Sequence, residues 1–150
     1  MNETIKKLGA CEEGLDWLGD KPLDAAWAEC HRGDWMLWVA DKVGVDIKTL
    51  TLAKVRCARL VQHLMKNQRS LDVLVIAEAF AGGKATAAQL EAAYAAAAAA
   101  ADAAAADAAY AAADAASYAA RNKTQHQCAE ICRDTIPLHD VLRLIKEQGE

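Results

Sequence analysis

The chain has 150 residues, 54% of them hydrophobic and 5% aromatic, and a net charge of −4. That length suits one domain over residues 1–150 with a real core, while two prolines and eight glycines exclude collagen-like architectures. Alanine supplies 36 residues, 25 of them between Ala85 and Ala120, so much of the apolar content is a methyl group that favours helix but fills a core poorly.

Ile5, Leu8, Cys11, Leu15 and Leu18 recur at helical spacing and predict one helix from about Glu3 to Leu18. Gly19-Asp20-Lys21-Pro22 ends it, and a second helix runs from about Leu23 to Cys30. His31-Arg32-Gly33 breaks the pattern. Asp34 is then a candidate cap for a third helix, Trp35 to Val43, stopped by Gly44. A fourth spans about Thr49 to Lys66, with Leu50, Ala53, Cys57, Leu60, Val61 and Leu64 on one stripe. Ser70 caps a fifth that ends at Gly82-Gly83.

Thr86, with Gln89 three residues on, reads as a capping box for a very long alanine helix, about 87–121. At 1.5 Å per residue it would be about 50 Å long. A short helix from about Thr124 to Thr135 follows, and after Pro137 the apolar spacing of Leu138, Val141, Leu142 and Ile145 predicts a last amphipathic turn or two. No segment alternates like a strand. The expectation is an all-α, single-domain helical bundle.

The alanine tract is long enough to span a bilayer. However, Asp102, Asp107 and Asp114 stand in it with no base, and each such charge costs roughly 2.5–3.5 kcal/mol at a bilayer centre. No membrane association is expected. Five cysteines, an odd number, follow a Met1-Asn2-Glu3-Thr4 start without an apolar leader. Reduced, buried thiols in a cytoplasmic protein are the natural reading.

Few residues suggest catalysis. There is no Gly-rich phosphate loop, GxSxG or HExxH, and neighbours such as Cys30 and His31 do not face each other on a helix. Cys128 and Cys132, with His126 nearby, lack the second ligand pair a zinc site needs. No enzyme activity, metal or cofactor is expected. The four tryptophans, Trp17, Trp27, Trp35 and Trp38, read as the bulky core that the alanine helix lacks, with an exposed docking patch as the alternative.

Two surfaces are candidates for recognition. On the alanine helix, a bare methyl stripe after Tyr94 would let another helix approach closely, within the chain or in a second copy. Its opposite face carries Asp107, Tyr110, Asp114, Tyr118 and Arg121, either solvated or contacting a partner protein. Between Ile47 and Leu71 there is no acid, and Arg56, Arg59, His63 and Lys66 fall within an arc of about 80° on a continuous helix. That basic face reads as an anion site for nucleic acid, a nucleotide or an acidic protein, or as a face neutralised by acids of neighbouring helices.

The run Leu23-Asp24-Ala25-Ala26-Trp27-Ala28-Glu29-Cys30-His31-Arg32-Gly33-Asp34-Trp35-Met36-Leu37-Trp38 resembles one in small Ala-rich helical proteins of bacteria and their phages. Those proteins also carry a central segment like Leu52-Ala53-Lys54-Val55-Arg56-Cys57-Ala58-Arg59-Leu60. A long Ala/Asp/Tyr helix follows, and they close on a segment like Cys128-Ala129-Glu130-Ile131-Cys132-Arg133-Asp134-Thr135-Ile136-Pro137. In this order the chain is similar to immunity proteins of the Imm-5-like class. The resemblance implies a helical protein that acts by binding, and it carries over no catalytic residue. The expected function is therefore a non-enzymatic immunity- or inhibitor-type protein that blocks a toxin or defence component. The alternatives are a phage-type counter-defence or regulatory protein using the basic face, and a structural homo-oligomer paired through alanine stripes.

Overall fold

A computed structural model describes residues 2–64, 67–104 and 110–149; the side chains at positions 2, 64 and 97–121 are outside the description. The fold is all-α, with nine α-helices, one 3-10 turn and no strand among the described residues. The helices are α1 (Asn2–Lys7), α2 (Glu12–Leu18), α3 (Leu23–Glu29), α4 (Gly33–Val43), α5 (Ile47–Arg59), α6 (Gln68–Ala81), α7 (Ala87–Ala104), α8 (Tyr110–Thr135) and α9 (Leu138–Gly149). Among the described residues no helix is long and apolar enough to cross a membrane.

Most starts and stops follow local chemistry. Asp46 accepts hydrogen bonds from the Lys48 and Thr49 amides at the head of α5. Thr86 and Gln89 form the expected reciprocal box, with Gln89 N–H donating to Thr86 Oγ1 and Thr86 N–H to Gln89 Oε1. Gly44 ends α4 in the left-handed region at φ 84°.

Several boundaries differ from the sequence reading, among them the end of the fourth expected helix, which stops at Arg59 rather than near Lys66. The expected first helix is two, α1 and α2, because Gly9 turns the chain at φ 89°. Asp34 does not cap α4; its carboxylate is held by the Arg32 guanidinium instead. The cap of α6 is Asn67, whose side chain accepts from the Arg69 amide, rather than Ser70. The expected break at 122–123 is absent: α8 runs through it to Thr135. Of the long helix expected over 87–121, the stretches 87–104 and 110–121 are helical, and 105–109 lie outside the described residues.

The main core lies where α1–α5 meet the C-terminal half of α8 and α9. Ala40, Ala53, Ala129, Cys132 and Ile136 are fully enclosed there. A second, smaller cluster of Val55, Ala77, Phe80 and Leu90 joins α5, α6 and α7. Helix α5 is the shared wall, packed on α4, α6 and α8. It therefore buries Thr51 and Val55 as well as Leu50, Ala53 and Cys57, two more positions than a single stripe predicts.

The α3–α4 corner is clamped by α8. A β-carbon on Gly33 would clash with Cys128 Cβ and stand 2.8 Å from the Ala129 amide nitrogen, so only hydrogen fits. The Asp34 amide, one of the unpaired donors at the head of α4, donates to Gln125 Oε1 at 3.1 Å. Arg133 Nη1 donates to the carbonyls of Cys30 (2.9 Å) and Trp27 (3.3 Å) at the tail of α3. One face of α8 thus closes both helix ends and packs against the glycine between them.

Two glycine substitutions should have opposite signs in urea denaturation. Gly33→Ala forces backbones apart and should cost about 2–3 kcal/mol or more. Gly14→Ala lies in the first turn of α2, its new methyl 3.4 Å from Cys11 Sγ and 3.9 Å from the Trp35 ring. It should stabilise by about 0.5–1 kcal/mol.

Candidate functional site

Helices α1–α4 and α9 enclose a cleft of about 420 Å³. Ile5 of α1, the Gly9–Cys11 turn, Gly14 and Trp17 of α2, and Leu23 and Trp27 of α3 line one part of it. Asp34, Trp35, Trp38 and Val39 of α4 and Leu138, Leu142 and Ile145 of α9 line the rest. All four tryptophans of the chain are in this wall. Trp27 is buried, while Trp17, Trp35 and Trp38 are half-buried. The core reading of these residues thus holds for Trp27; Trp17 and Trp35 pack against the core from its edge, and with Trp38 they border an opening. An apolar protein cavity of about 150 Å³ accommodates benzene, so this cleft has room for a large apolar side chain or a short segment.

Gly14 is among the residues that line the cleft. Gly14 sits inside α2, where alanine favours the helix by about 1 kcal/mol, and a methyl there meets its neighbours at ordinary contact distance. Nothing in the packing requires glycine, and its effect is a lowered wall beside Trp35. The buried Trp27 Nε1 has no hydrogen-bond partner, which leaves an unused donor within that wall.

The rim is charged. Trp17 and Trp35 meet at 5.9 Å between centroids, tilted by 57°. Lys21 Nζ stands 4.1 Å over the Trp17 ring and Arg32 4.4 Å over Trp35. The Arg32 fork holds Asp34 through two bonds of 2.9 and 2.7 Å and reaches Glu13 at 3.2 Å. Partial burial pushes the Asp34 carboxyl up. The hydrogen bonds and charge of Arg32 outweigh that and hold it below the usual carboxylate range. From Cys11 to Asp34 the chain carries the acids Glu12, Glu13, Asp16, Asp20, Asp24, Glu29 and Asp34 against Lys21 and Arg32, a net of −5. All seven acids are exposed.

No family model, no curated protein and no solved structure matches this chain.

The basic face is divided. Helix α5 ends at Arg59, so His63 falls on a 3-10 turn (Gln62–Leu64) and leaves the helical arc, while Lys66 lies outside the described residues. Arg56 Nη1 donates to Asp134 (2.7 Å) and Thr135 (2.6 Å) of α8. Arg59 grips Glu78 of α6 with two bonds of 2.8 and 2.7 Å and also reaches Gln62. Lys54 pairs with Asp41. The acids that compensate this face are thus Asp134, Glu78 and Asp41; of the acids flanking it in sequence, Asp46 instead caps α5 and Asp72 bonds Gln68. His63 is exposed beside a shallow depression shared with Arg59 and Val75.

Of the second expected surface, Asp107 lies outside the described residues, as do the side chains of Tyr110, Asp114, Tyr118 and Arg121. Among the described residues no cluster of His, Cys, Asp or Glu is arranged to hold a metal.

The thiols separate into two kinds. Cys30, Cys57 and Cys132 are buried, Cys128 is half-buried, and Cys11 is exposed at the cleft, unlike the uniformly buried set expected. Burial pushes the Cys30 thiol up. At Cys57 the contact with Cys128 favours the thiolate but is outweighed by Cys132 and burial, so the thiol is pushed up to about 12. Cys128 is raised by its contact with Cys57 and by burial.

In native protein a thiol reagent should therefore modify Cys11 rapidly and the other four only after unfolding, read by mass spectrometry. The folded state keeps protons on Cys30 and Cys57 that the unfolded chain releases. Stability should thus decline as the pH rises above the ordinary thiol value of 9.0 toward about 12.

Proposed function

We propose that this chain is a non-enzymatic binding protein of the immunity or inhibitor type. In this reading it blocks a partner protein by receiving an apolar side chain of that partner in the tryptophan cleft. The observation that carries the reading is the cleft itself, lined by all four tryptophans, with glycine at position 14 where alanine would fit. Pockets that take an anchor residue are typically desolvated, aromatic and ringed by polar groups, with Trp and Arg prominent. Trp17, Trp35 and Arg32 have that composition here. A binding role also agrees with the resemblance to Imm-5-like immunity proteins.

Two titratable groups of the wall, Asp34 and Cys30, are held in unreactive forms, while the third, Cys11, is exposed at its edge. Asp34 is engaged by Arg32, and the Cys30 thiol is stabilised in its protonated state. On the basic face, an anion would have to displace Glu78 and Asp134 from Arg59 and Arg56. A protein partner at the cleft therefore has more support than nucleic acid or a nucleotide at α5.

Affinity capture from the native host, with the wild-type chain and a Gly14→Leu variant as baits, tests the reading. One partner should be retained by the wild type, bind Gly14→Leu at least about tenfold more weakly, and lose its activity when saturated with purified wild-type chain. A partner that binds both baits equally would place recognition elsewhere on the surface. A saturated partner with undiminished activity would remove the inhibitor role.

A further inference from the structure

We infer that the cleft's occupant is a basic amphipathic segment of the partner: an apolar anchor flanked by lysine or arginine. The inference rests on the cleft reading above and adds the chemistry of the partner. Its first support is charge. The stretch that builds the α2, α3 and α4 side of the cleft has a net charge of −5, larger than the −4 of the whole chain. Six of its seven carboxylates lie on α2, α3 and α4, and all seven are exposed. The wall between them is apolar and tryptophan-rich. An apolar slot flanked by acid-rich helices, with Glu13, Glu29 and Asp34 at its Trp17–Trp35 edge, attracts a cationic amphipath and disfavours an anionic one, because a like-charged segment would bring unpaired charges together as it desolvates that edge.

The second support is what already sits on the rim aromatics. The partners of Trp17 and Trp35 are cations, Lys21 and Arg32, each placed over a ring face. Both also reach carboxylates, with three acids (Glu13, Glu29 and Asp34) for two bases. The rim thus holds one carboxylate more than it has bases, and an incoming lysine or arginine meets that excess negative charge beside the indole rings. The 420 Å³ of the cleft suits one or two large apolar side chains from one face of a helix, at i and i+3 or i+4.

The test uses two synthetic peptides of about 18 residues with the same leucine stripe and no aromatic residue, one with lysine and one with glutamate on the polar face. All four tryptophans line the cleft, so intrinsic fluorescence reports occupancy there. The lysine peptide should shift the emission and bind at least about tenfold more tightly than the glutamate peptide. Its affinity should fall severalfold as salt is raised from about 0.05 to 0.5 M. Gly14→Leu and, as a second obstruction, Ala10→Leu should weaken it, with circular dichroism confirming that each variant is folded.

Equal or tighter binding of the glutamate peptide, still sensitive to the obstructions, would overturn the basic-segment inference and leave the cleft reading standing. Lysine-peptide binding indifferent to both folded obstructions would be charge attraction only, and would overturn the inference. Binding of neither peptide would overturn both.

Discussion

Helices α4 and α8 approach so closely at Gly33 that no side chain fits between them, and the rest of the molecule is arranged around that contact. Cys128 and Ala129 of α8 occupy the space a β-carbon would need. On either side of the contact α8 satisfies backbone groups that a tight corner would otherwise strand: Gln125 accepts the Asp34 amide, and Arg133 donates to the Trp27 and Cys30 carbonyls. Buried helix ends without such partners cost free energy comparable to lost hydrogen bonds. The corner therefore depends on α8, and the orientation of the tryptophans depends on the corner. Trp27 precedes it, Trp35 and Trp38 follow it, and all three line the same cleft. Pro137 then starts α9, whose Leu138, Val141, Leu142 and Ile145 complete the wall.

Two kinds of electrostatics operate on this frame. Away from the cleft, charges are spent on holding helices together. Arg56 ties α5 to α8 and Arg59 ties α5 to α6, both exposed pairs of the sort that contributes about 0–1 kcal/mol. Around the cleft the balance differs, with an excess of carboxylates and with cations seated on indole rings. A glycine inside a helix and an indole N–H without an acceptor are both local departures from what stability favours. Such departures concentrate where a protein meets its partners.

The secondary structure was largely legible in the sequence because capping and turn chemistry is local. Thr86 with Gln89, Gly44, Gly82-Gly83 and Pro137 each mark a boundary that is present. The misread boundaries are those where a tertiary or alternative local partner competed. Asp34 is a good cap by type, but Arg32 takes its carboxylate and Gln125 takes over the backbone donor. Apolar spacing continues smoothly through Gly9, so periodicity runs α1 and α2 together although the backbone turns there. At 122–123 the sequence reading separates two helices, but the helix goes on because its next turns are anchored on α4 and α5. The basic arc of α5 was visible as composition; the acids that pair with it, Glu78 and Asp134, are 19 and 78 residues away in the chain.

Sequence by itself determined that this protein is helical, where most of its helices begin and end, and that its tryptophans and N-terminal acids are concentrated in one short stretch. Those properties follow from backbone propensity, capping and composition, which act over a few residues. Only the tertiary structure decided that Trp17, Trp35 and Trp38 border an opening while Trp27 fills the core, that Arg56 and Arg59 are already engaged, and that Gly14 faces side chains at contact distance while Gly33 faces a backbone. Each of these depends on which surfaces meet across long separations in the chain. The same residue, glycine, lines a cleft at one position and permits a helix contact that excludes any side chain at the other, and only the neighbour it faces distinguishes the two.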